Sequence, residues 1–408
     1  QKIKYVPGGS GSGEPLISFN TGAFESYGWS GNANAPIGRE AAEAYATALQ
    51  RLLHPQPPDP QQPDGTLHRR NVRVGGNTVV CYWAGDRRGD GFADVVGALL
   101  EADEEGVEKV GHLYRSIWNG WPPEIDDDAP FFVLTLSGQQ GRPIVRDWLS
   151  TSLQRAQENL SRHFADLTIC RNTPAPKGKA LPPQFSLRDL YRSLAVRGKS
   201  ENVPAPLATR MLRAIFAGTP YPTALLHQAI LRTRAEIGAD GWSDSYRRDC
   251  RAALIKAVLE RRRRFQQTSY PEIKTTMDPH NDNPGYVLGR LMAVIERMQT
   301  LALGDVNATV VDRYFGAASA APRAVFVRLL KNARHHASKA KDDDRTRGTA
   351  RWLERQIDEL ADRFDPKHNG FPAHLSLEEQ GLFILGYHQQ RHAFFQSKAE
   401  REAAAETA

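Results

Sequence analysis

The sequence predicts an α+β fold, with a mixed α/β body followed by a C-terminal α-helical bundle. Short apolar runs bounded by turn residues, such as FFVLTL from Phe131, predict buried strands among the first 276 residues. Beyond them the apolar residues recur only at steps of three and four, which is the spacing of amphipathic helices. We therefore expect two domains, a basic body over residues 1–276 and a helical bundle over residues 277–408.

The first part of the body is predicted to alternate strands and helices. A short strand is expected at Leu16–Phe19, and apolar residues at helical spacing run from Ala42 to Leu53. Asn77–Trp83 is rich in β-branched and aromatic residues, which is typical of a strand. Phe92–Leu100 has the pattern of another helix.

The second part of the body is predicted to be mainly helical. One long amphipathic helix is indicated by a single apolar stripe, formed by Leu149, Leu153, Ala156, Leu160, Phe164 and Leu167. Helices are then expected over Leu187–Arg264, with breaks at Pro204/Pro206 and at Pro220/Pro222 because proline cannot continue a helix.

Four helices are predicted in the C-terminal bundle. Apolar stripes run from Val287 to Leu301, over Val325–Ala333 and over Leu353–Phe364. The last helix is expected to open with a capping box at Ser376–Glu379. Four such helices joined by short loops favour a bundle.

The composition favours a polyanionic partner in a reducing compartment. No apolar run reaches the length of a membrane span, and the three cysteines are far apart, so we expect a cytoplasmic protein. The net charge of +6 is unevenly distributed, because Gly141–Phe265 carries an excess of Lys and Arg. Segregated positive charge predicts a surface for the phosphate backbone of a nucleic acid.

Several basic residues are candidates for phosphate contacts. Arg142 and Arg146 precede the long amphipathic helix, and Arg155 and Arg162, seven residues apart, share one face of it. Arg261, Arg262, Arg263 and Arg264 form a basic run at a predicted helix end. The alternative for this run is a solvated helix C-terminus, where the macrodipole alone favours cations.

Asn32 and Asn34 are candidates for base recognition. They lie in the loop WSGNANAPIG, and an asparagine amide can pair with a base edge. The alternative is turn chemistry, because Asn and Gly adopt left-handed backbone conformations readily.

No sequence pattern predicts catalysis, a metal or a cofactor. His388 and His392 are four residues apart, yet the H-E-x-x-H metalloprotease pattern is missing, and the Asp126–Asp128 and Asp342–Asp344 triplets lack calcium-loop spacing. We expect a protein that is not an enzyme. The alternatives are a metal-dependent nuclease that uses Asp/His clusters, and a structural adaptor whose basic face meets an acidic protein.

Motifs along nearly the whole chain resemble those of one family. One is the helix ending with Glu158-Asn159-Leu160, Arg162-His163 and Asp166-Leu167. Others are LISFNTGAFESYG from Leu16, YPTALLHQAILRTRAE from Tyr221, and the ordered segments NPGYVLGRLMAVIERMQ, NATVVDRYFGAASAAP and FPAHLSLEEQGLFILGYHQQRHAFF. In these the chain resembles the large subunit of the type I-C CRISPR interference complex (Cascade). Because it begins at Gln1, we expect it to lack an N-terminal portion.

The resemblance implies a non-catalytic subunit of an RNA-guided surveillance complex. Its implied nucleic-acid partners are guide RNA, target double-stranded DNA and the displaced single strand. Its implied protein partners are backbone subunits, small subunits and a helicase–nuclease that it recruits. It also implies a contribution to recognition of the short motif beside the target, and no membrane partner.

In the family that the chain resembles, the large-subunit message can also yield a small subunit from an internal start, so we expect the bundle as a separate product as well. The alternative is that Met277 is only a linker residue and that the bundle exists only as a C-terminal domain. Met277 lies just before the first bundle helix and is the expected start. Basic residues on the second bundle helix are then the candidates for holding the displaced strand: Lys331, Arg334, Lys339 and Lys341.

Overall fold

The computed structural model describes most of the chain in two compact units. The N-terminal unit comprises Gln1–Arg162 and Pro182–Thr219, and the C-terminal unit comprises His163–Leu181 and Pro220–Ala408. The described residues are 2–19, 21–56, 69–85, 90–101, 129–139, 142–177, 181–182, 184–364 and 370–395. The predicted α+β class is confirmed. Whether residues 277–408 form a separable domain stays a prediction.

A four-stranded antiparallel sheet organises the N-terminal unit. Its strands are β3 (Asn71–Val74), β4 (Thr78–Ala84), β5 (Pro130–Gln139) and β6 (Arg142–Ser152), in that spatial order. The expected strands at Asn77–Trp83 and from Phe131 are confirmed by β4 and β5.

Two further strands pair near the N-terminus. The strands β1 (Lys2–Ile3) and β2 (Glu14–Pro15) are antiparallel. The strand expected at Leu16–Phe19 is wrong, because the described strand β2 covers Glu14–Pro15 and Leu16–Phe19 lies outside it.

Helices cover both faces of the sheet. The helix α1 (Arg39–Leu53) packs with Ile3 and Val6 against Cys81 and Leu136 on one face. On the other face lie α2 (Asp90–Glu101) and two later helices of this unit, α4 (Leu187–Leu194) and α5 (Ala205–Ala217). Phe131 carries that contact, because its ring lies 5.0 Å from Phe92 and 5.6 Å from Phe216. Residues alternate between the two faces, as a strand requires.

The long amphipathic helix begins later than its apolar stripe suggests. The helix α3 spans Leu153–Leu167, so Leu149 lies on β6 and its place in the stripe was wrong. Ser152 explains the start, because its Oγ accepts the backbone N–H of Arg155 and so caps the first turn. The boundary between the two units falls within α3, after Arg162.

The C-terminal unit is built from helices in its described residues. These are α6 (Thr223–Glu236), α7 (Trp242–Phe265), α8 (Pro284–Leu303), α9 (Val310–Ala318), α10 (Pro322–Asp342), α11 (Asp344–Ala361) and α12 (Leu377–Phe395). The capping box expected at Ser376 and Glu379 is confirmed. The helix α9 was not predicted; it opens with a second capping box between Thr309 and Asp312. No described helix is long and apolar enough to cross a bilayer.

Glycines let α8 and α12 approach each other closely. A Cβ at Gly289 would overlap the backbone carbonyl of Phe383, and a Cβ at Gly386 would overlap that of Tyr286. The close approach brings polar side chains within reach inside the core. The hydroxyl of Tyr286 donates to Gln389 Oε1 at 2.6 Å.

We predict that Gly289→Ala destabilises the protein although alanine favours helices. The added methyl meets rigid backbone, and overpacking of this kind costs about 1–3 kcal/mol. Gly348→Ala on α11 is the matched control, because nothing lies within 4 Å of its added Cβ. The control should gain about 0.5–1 kcal/mol from helix propensity. Denaturant midpoints measure both, and a stabilised Gly289→Ala variant would contradict the packing described here.

Candidate nucleic-acid interface

The basic run at the end of α7 turns largely inward. Arg261 is 2% exposed; its Nε donates to Asp166 Oδ2 at 3.2 Å, and its guanidinium lies 4.2 Å above the ring of Tyr221. Arg264 donates to both carboxylate oxygens of Asp166 at 2.6 and 2.7 Å and keeps 41% of its side chain exposed. Arg261 has no surface to offer to a phosphate, which corrects its place among the expected contacts.

The other two arginines of the run are also paired. Arg262 donates to Glu378 and, at 2.7 Å, to Thr223 Oγ1, so it links α7 to α12 and α6. Arg263 donates to Glu260 one turn earlier at 3.1 Å. The run therefore fastens α7 to its neighbours, and a phosphate would have to compete with these carboxylates for Arg263 and Arg264.

A different helix presents cations to solvent. The buried side of α10 consists of apolar residues such as Phe326, Leu329 and Ala333. Its opposite side is a stripe of exposed basic residues, which we term the α10 cationic face: Arg328, Lys331, Arg334, His335 and Lys339. Steps of three and four keep them on one side of the helix. Among described residues, no carboxylate lies within 4 Å of the charged nitrogens of Arg328, Lys331 or Lys339.

The exposed side of the neighbouring helix α11 differs from this face in its charge. Its exposed side mixes Arg351 and Arg355 with Asp358 and Glu359. Mixed charge largely cancels at the distance of a polyanion, whereas charge of one sign attracts it. The α10 cationic face therefore has the stronger attraction for a phosphate backbone.

Three of the four residues predicted on this helix contribute to the face. Lys331, Arg334 and Lys339 are exposed, whereas Lys341 is half-buried and its Nζ donates to Glu354 at 2.9 Å. The sequence reasoning omitted Arg328, although its position one turn before Lys331 was visible in the spacing.

The predicted arginines of the N-terminal unit are exposed. Arg142 and Arg146 lie on β6, and Arg155 and Arg162 lie on α3. The guanidinium of Arg146 donates to Ser137 Oγ at 2.6 Å, because a register irregularity leaves Arg146 without a cross-strand partner.

Sequence reasoning missed an aromatic cluster on this sheet. The ring of Phe132 lies 5.3 Å from Trp83 and 5.6 Å from Trp148, and Trp148 is 47% exposed. The three residues lie on three adjacent strands, so only the register of β4, β5 and β6 brings them together.

The two loop asparagines differ in what they do. Residues Gly31–Asn34 form a short 3₁₀ turn, and Asn34 Nδ2 donates to the carbonyl of Trp29 at 2.8 Å. Asn34 thus serves turn geometry. Asn32 is exposed, and so is Tyr27, five residues earlier in the chain, with 98% of its surface open to solvent.

The histidines spaced four apart bind backbone. His388 Nε2 donates to the carbonyl of Cys170 at 2.8 Å, and His392 Nδ1 donates to that of Arg171 at 3.0 Å. Burial lowers the pKa of His388 and favours its neutral form. Among the described residues, no three His, Cys, Asp or Glu side chains group as a metal site. The Asp126–Asp128 triplet lies outside them.

The Asp342–Asp344 triplet has a local structural role. Asp343 is the N-cap of α11, and its carboxylate accepts the backbone N–H of Arg345 at 2.9 Å. Hydrogen bonds from Arg345 hold the pKa of this exposed carboxyl below its usual range.

Comparison with known proteins identifies the class. The family model described as CRISPR-associated protein (Cas_Csd1) matches residues 1–395 of the 408-residue chain. The chain therefore belongs to this family of CRISPR-associated proteins. No match is found among curated proteins.

We predict that His163 makes the protein less stable in acid. Its ring is buried, its Nδ1 is hydrogen-bonded to the hydroxyl of Tyr221, and its Nε2 has no hydrogen-bond partner in the described part of the chain. Burial, and then the charge of Arg261, hold the pKa of His163 well below 6.5. Between pH 7 and pH 5 the unfolded state therefore binds more protons than the folded state. The free energy of unfolding decreases as the pH is lowered through this range.

Glutamine does not titrate, so His163→Gln should lose less of its free energy of unfolding between pH 7 and pH 5 than the wild type loses. The difference in stability between wild type and variant should therefore be largest at pH 7 and smaller at pH 5. Urea midpoints at pH 5, 6 and 7 measure it. His227→Gln, at an exposed position on α6, is the control and should follow the wild-type curve. Parallel curves for wild type and His163→Gln would show that the group does not carry the pH dependence.

Proposed function

We propose that the chain is a non-catalytic large subunit of a type I-C CRISPR RNA-guided surveillance complex. In this role it binds guide RNA and target DNA, helps to recognise the motif beside the target, and recruits the helicase–nuclease. The order of its motifs and its membership of the CRISPR-associated family support the proposal. The observation that carries it is the α10 cationic face, a stripe of exposed basic residues in a chain of this family.

The α10 cationic face suits the displaced single strand in particular. The helix α10 has 21 residues and rises about 1.5 Å per residue, so its exposed side can follow several phosphates of an extended strand. Lysine and arginine that neutralise phosphates release counterions, which gives salt-dependent binding without sequence preference. Such binding fits a strand whose sequence differs with every target.

The N-terminal unit is assigned the guide and target duplex in this proposal. Arg142, Arg146, Arg155 and Arg162 would contact phosphates. Asn32, exposed in its loop, is the candidate for contact with the motif beside the target. Guide pairing reads most of the target sequence in such complexes, so the protein needs few base contacts.

We predict that a triple variant with alanine at Lys331, Arg334 and Lys339 binds single-stranded DNA about tenfold more weakly than the wild-type full chain. Each exposed ion contact that is lost should reduce the binding free energy by about 0.5 kcal/mol. The slope of the logarithm of the binding constant against the logarithm of the salt concentration should become less steep by about 2, because each lost phosphate contact removes about 0.7. Fluorescence anisotropy with a labelled oligonucleotide at several salt concentrations measures both. The oligonucleotide should stay uncut in Mg²⁺ or Mn²⁺.

Arg351→Ala/Arg355→Ala on α11 is the matched control and should bind like the wild type. An unchanged salt slope in the triple variant would remove the α10 cationic face from the proposal. Cleavage that disappears when Asp or His residues of this chain are changed would replace the proposal with a metal-dependent nuclease.

The proposal also assigns a second product to residues 277–408. That product would retain α8 to α12, with the glycine contacts between α8 and α12 intact. It would lack α6 and α7, which cover one side of α12 in the full chain. On that side Gly381 lies against Leu226, Ile255 and Leu259. The exposed apolar strip then needs a new partner, such as another subunit of the complex.

We predict that the untagged gene yields a short species starting at Met277. Met277→Leu should abolish it and leave the full chain unchanged, whereas Met292→Leu, inside α8, should leave both products. Mass spectrometry of the purified products reads the start directly. A short species that survives Met277→Leu would contradict this start site.

A further inference from the structure

A polar cavity lies between α8, α9 and α10 in the C-terminal unit. Its volume is about 240 Å³. The residues that line it are Gln299, Val310, Arg313, Tyr314, Asn332, His335 and His336. Pockets that bury drug-sized ligands have about 300–1,000 Å³, so this cavity suits one planar group.

Its polar side chains are available to a ligand. Arg313, Tyr314 and Asn332 make no hydrogen bond or ion pair through their side chains with any described residue. Gln299 is oriented by the backbone, because its Oε1 accepts the N–H of Val310 at 2.8 Å. Arg313 is exposed and Tyr314 and Asn332 are half-buried, so a ligand can reach all three, and a few convergent polar groups of this kind orient ligands in binding pockets.

The charge of the cavity favours an anionic ligand. Among the described residues that line it there is one guanidinium, that of Arg313, and no carboxylate. Burial and the neighbouring His335 and Lys339 lower the pKa of His336 and favour its neutral imidazole, so the positive charge of the cavity comes from Arg313. The neighbouring carboxylate of Asp312 is occupied by the N–H and the hydroxyl of Thr309 at 2.7 and 3.0 Å. Arg313 can therefore attract a phosphate without first giving up an ion pair.

The ring and the amides point to a nucleotide in preference to a simple anion. A phosphate would need only Arg313 and the histidines. The phenol ring of Tyr314 offers a surface on which a base can stack, as aromatic residues do in proteins that bind single strands. Asn332 offers an amide of the kind that pairs with base edges, and Gln299 adds its Nε2 as a donor.

The cavity opens beside the α10 cationic face, because His335 belongs to both. Lys331 and Lys339 lie one turn before and one turn after it. We propose that the cavity receives one unstacked base of the single strand bound along this face, with an adjacent phosphate on Arg313. The inference rests on the proposed function, and it assigns to α9 a part in holding the strand.

Anisotropy with the full chain tests it. The probes are a labelled ten-residue oligothymidylate and an abasic oligomer of the same length. Tyr314→Leu should weaken binding of the thymidylate about tenfold, the loss expected for one stacked base, and leave the abasic oligomer within about twofold. Tyr314→Phe keeps the ring and should bind like the wild type. Trp352→Leu, which removes an exposed aromatic on α11, should also leave binding unchanged.

The outcomes separate the cavity from the wider function. If the wild type binds neither oligomer, both the proposed function and the cavity proposal fail. If it binds both and Tyr314→Leu changes nothing, only the cavity proposal fails. Equal losses on both oligomers would make Tyr314 a structural residue and overturn the proposal.

Discussion

A buried carboxylate, Asp166, holds the basic end of α7 against the end of α3. It accepts from Arg261 and Arg264, and Lys256 Nζ donates to its backbone carbonyl at 3.3 Å. Loss of one partner from such a buried pair costs about 3–5 kcal/mol, because the other charge is left without compensation. The arginines of α7 thus have a structural task before any contact with a nucleic acid is considered.

This arrangement divides the basic residues of the C-terminal unit into two kinds. The arginines at the end of α7 are paired with carboxylates, whereas Arg328, Lys331 and Lys339 of the α10 cationic face are exposed, with no carboxylate of the described residues within 4 Å of their charged nitrogens. The exposed lysines and arginines of α10 can bind a polyanion directly and release counterions, whereas the arginines at the end of α7 would first have to give up a carboxylate. The net charge of +6 does not distinguish the two groups, since each Lys or Arg adds one positive charge wherever it lies in the fold.

Much of the fold was predictable from local patterns, because periodicity and capping act within a few residues. The strand from Phe131 and the capping box at Ser376 are examples. The start of α3 was misplaced, because Leu149 continues an apolar stripe although it belongs to a strand. The helix α9 was missed, and with it the cavity that contains Tyr314.

The candidate site was predictable only where one helix supplies it. Lys331 and Lys339 follow from the stripe on α10 alone, whereas Asp166 and Arg261 are 95 residues apart and meet only in the folded chain.

Cross-linking of 5-iodouracil-substituted single-stranded DNA to the full chain, with mass-spectrometric mapping, tests most directly whether α10 or the basic end of α7 contacts the strand. The account predicts cross-links in α9 and α10. Cross-links at the Arg261–Arg264 end of α7, with none on α10, would contradict it.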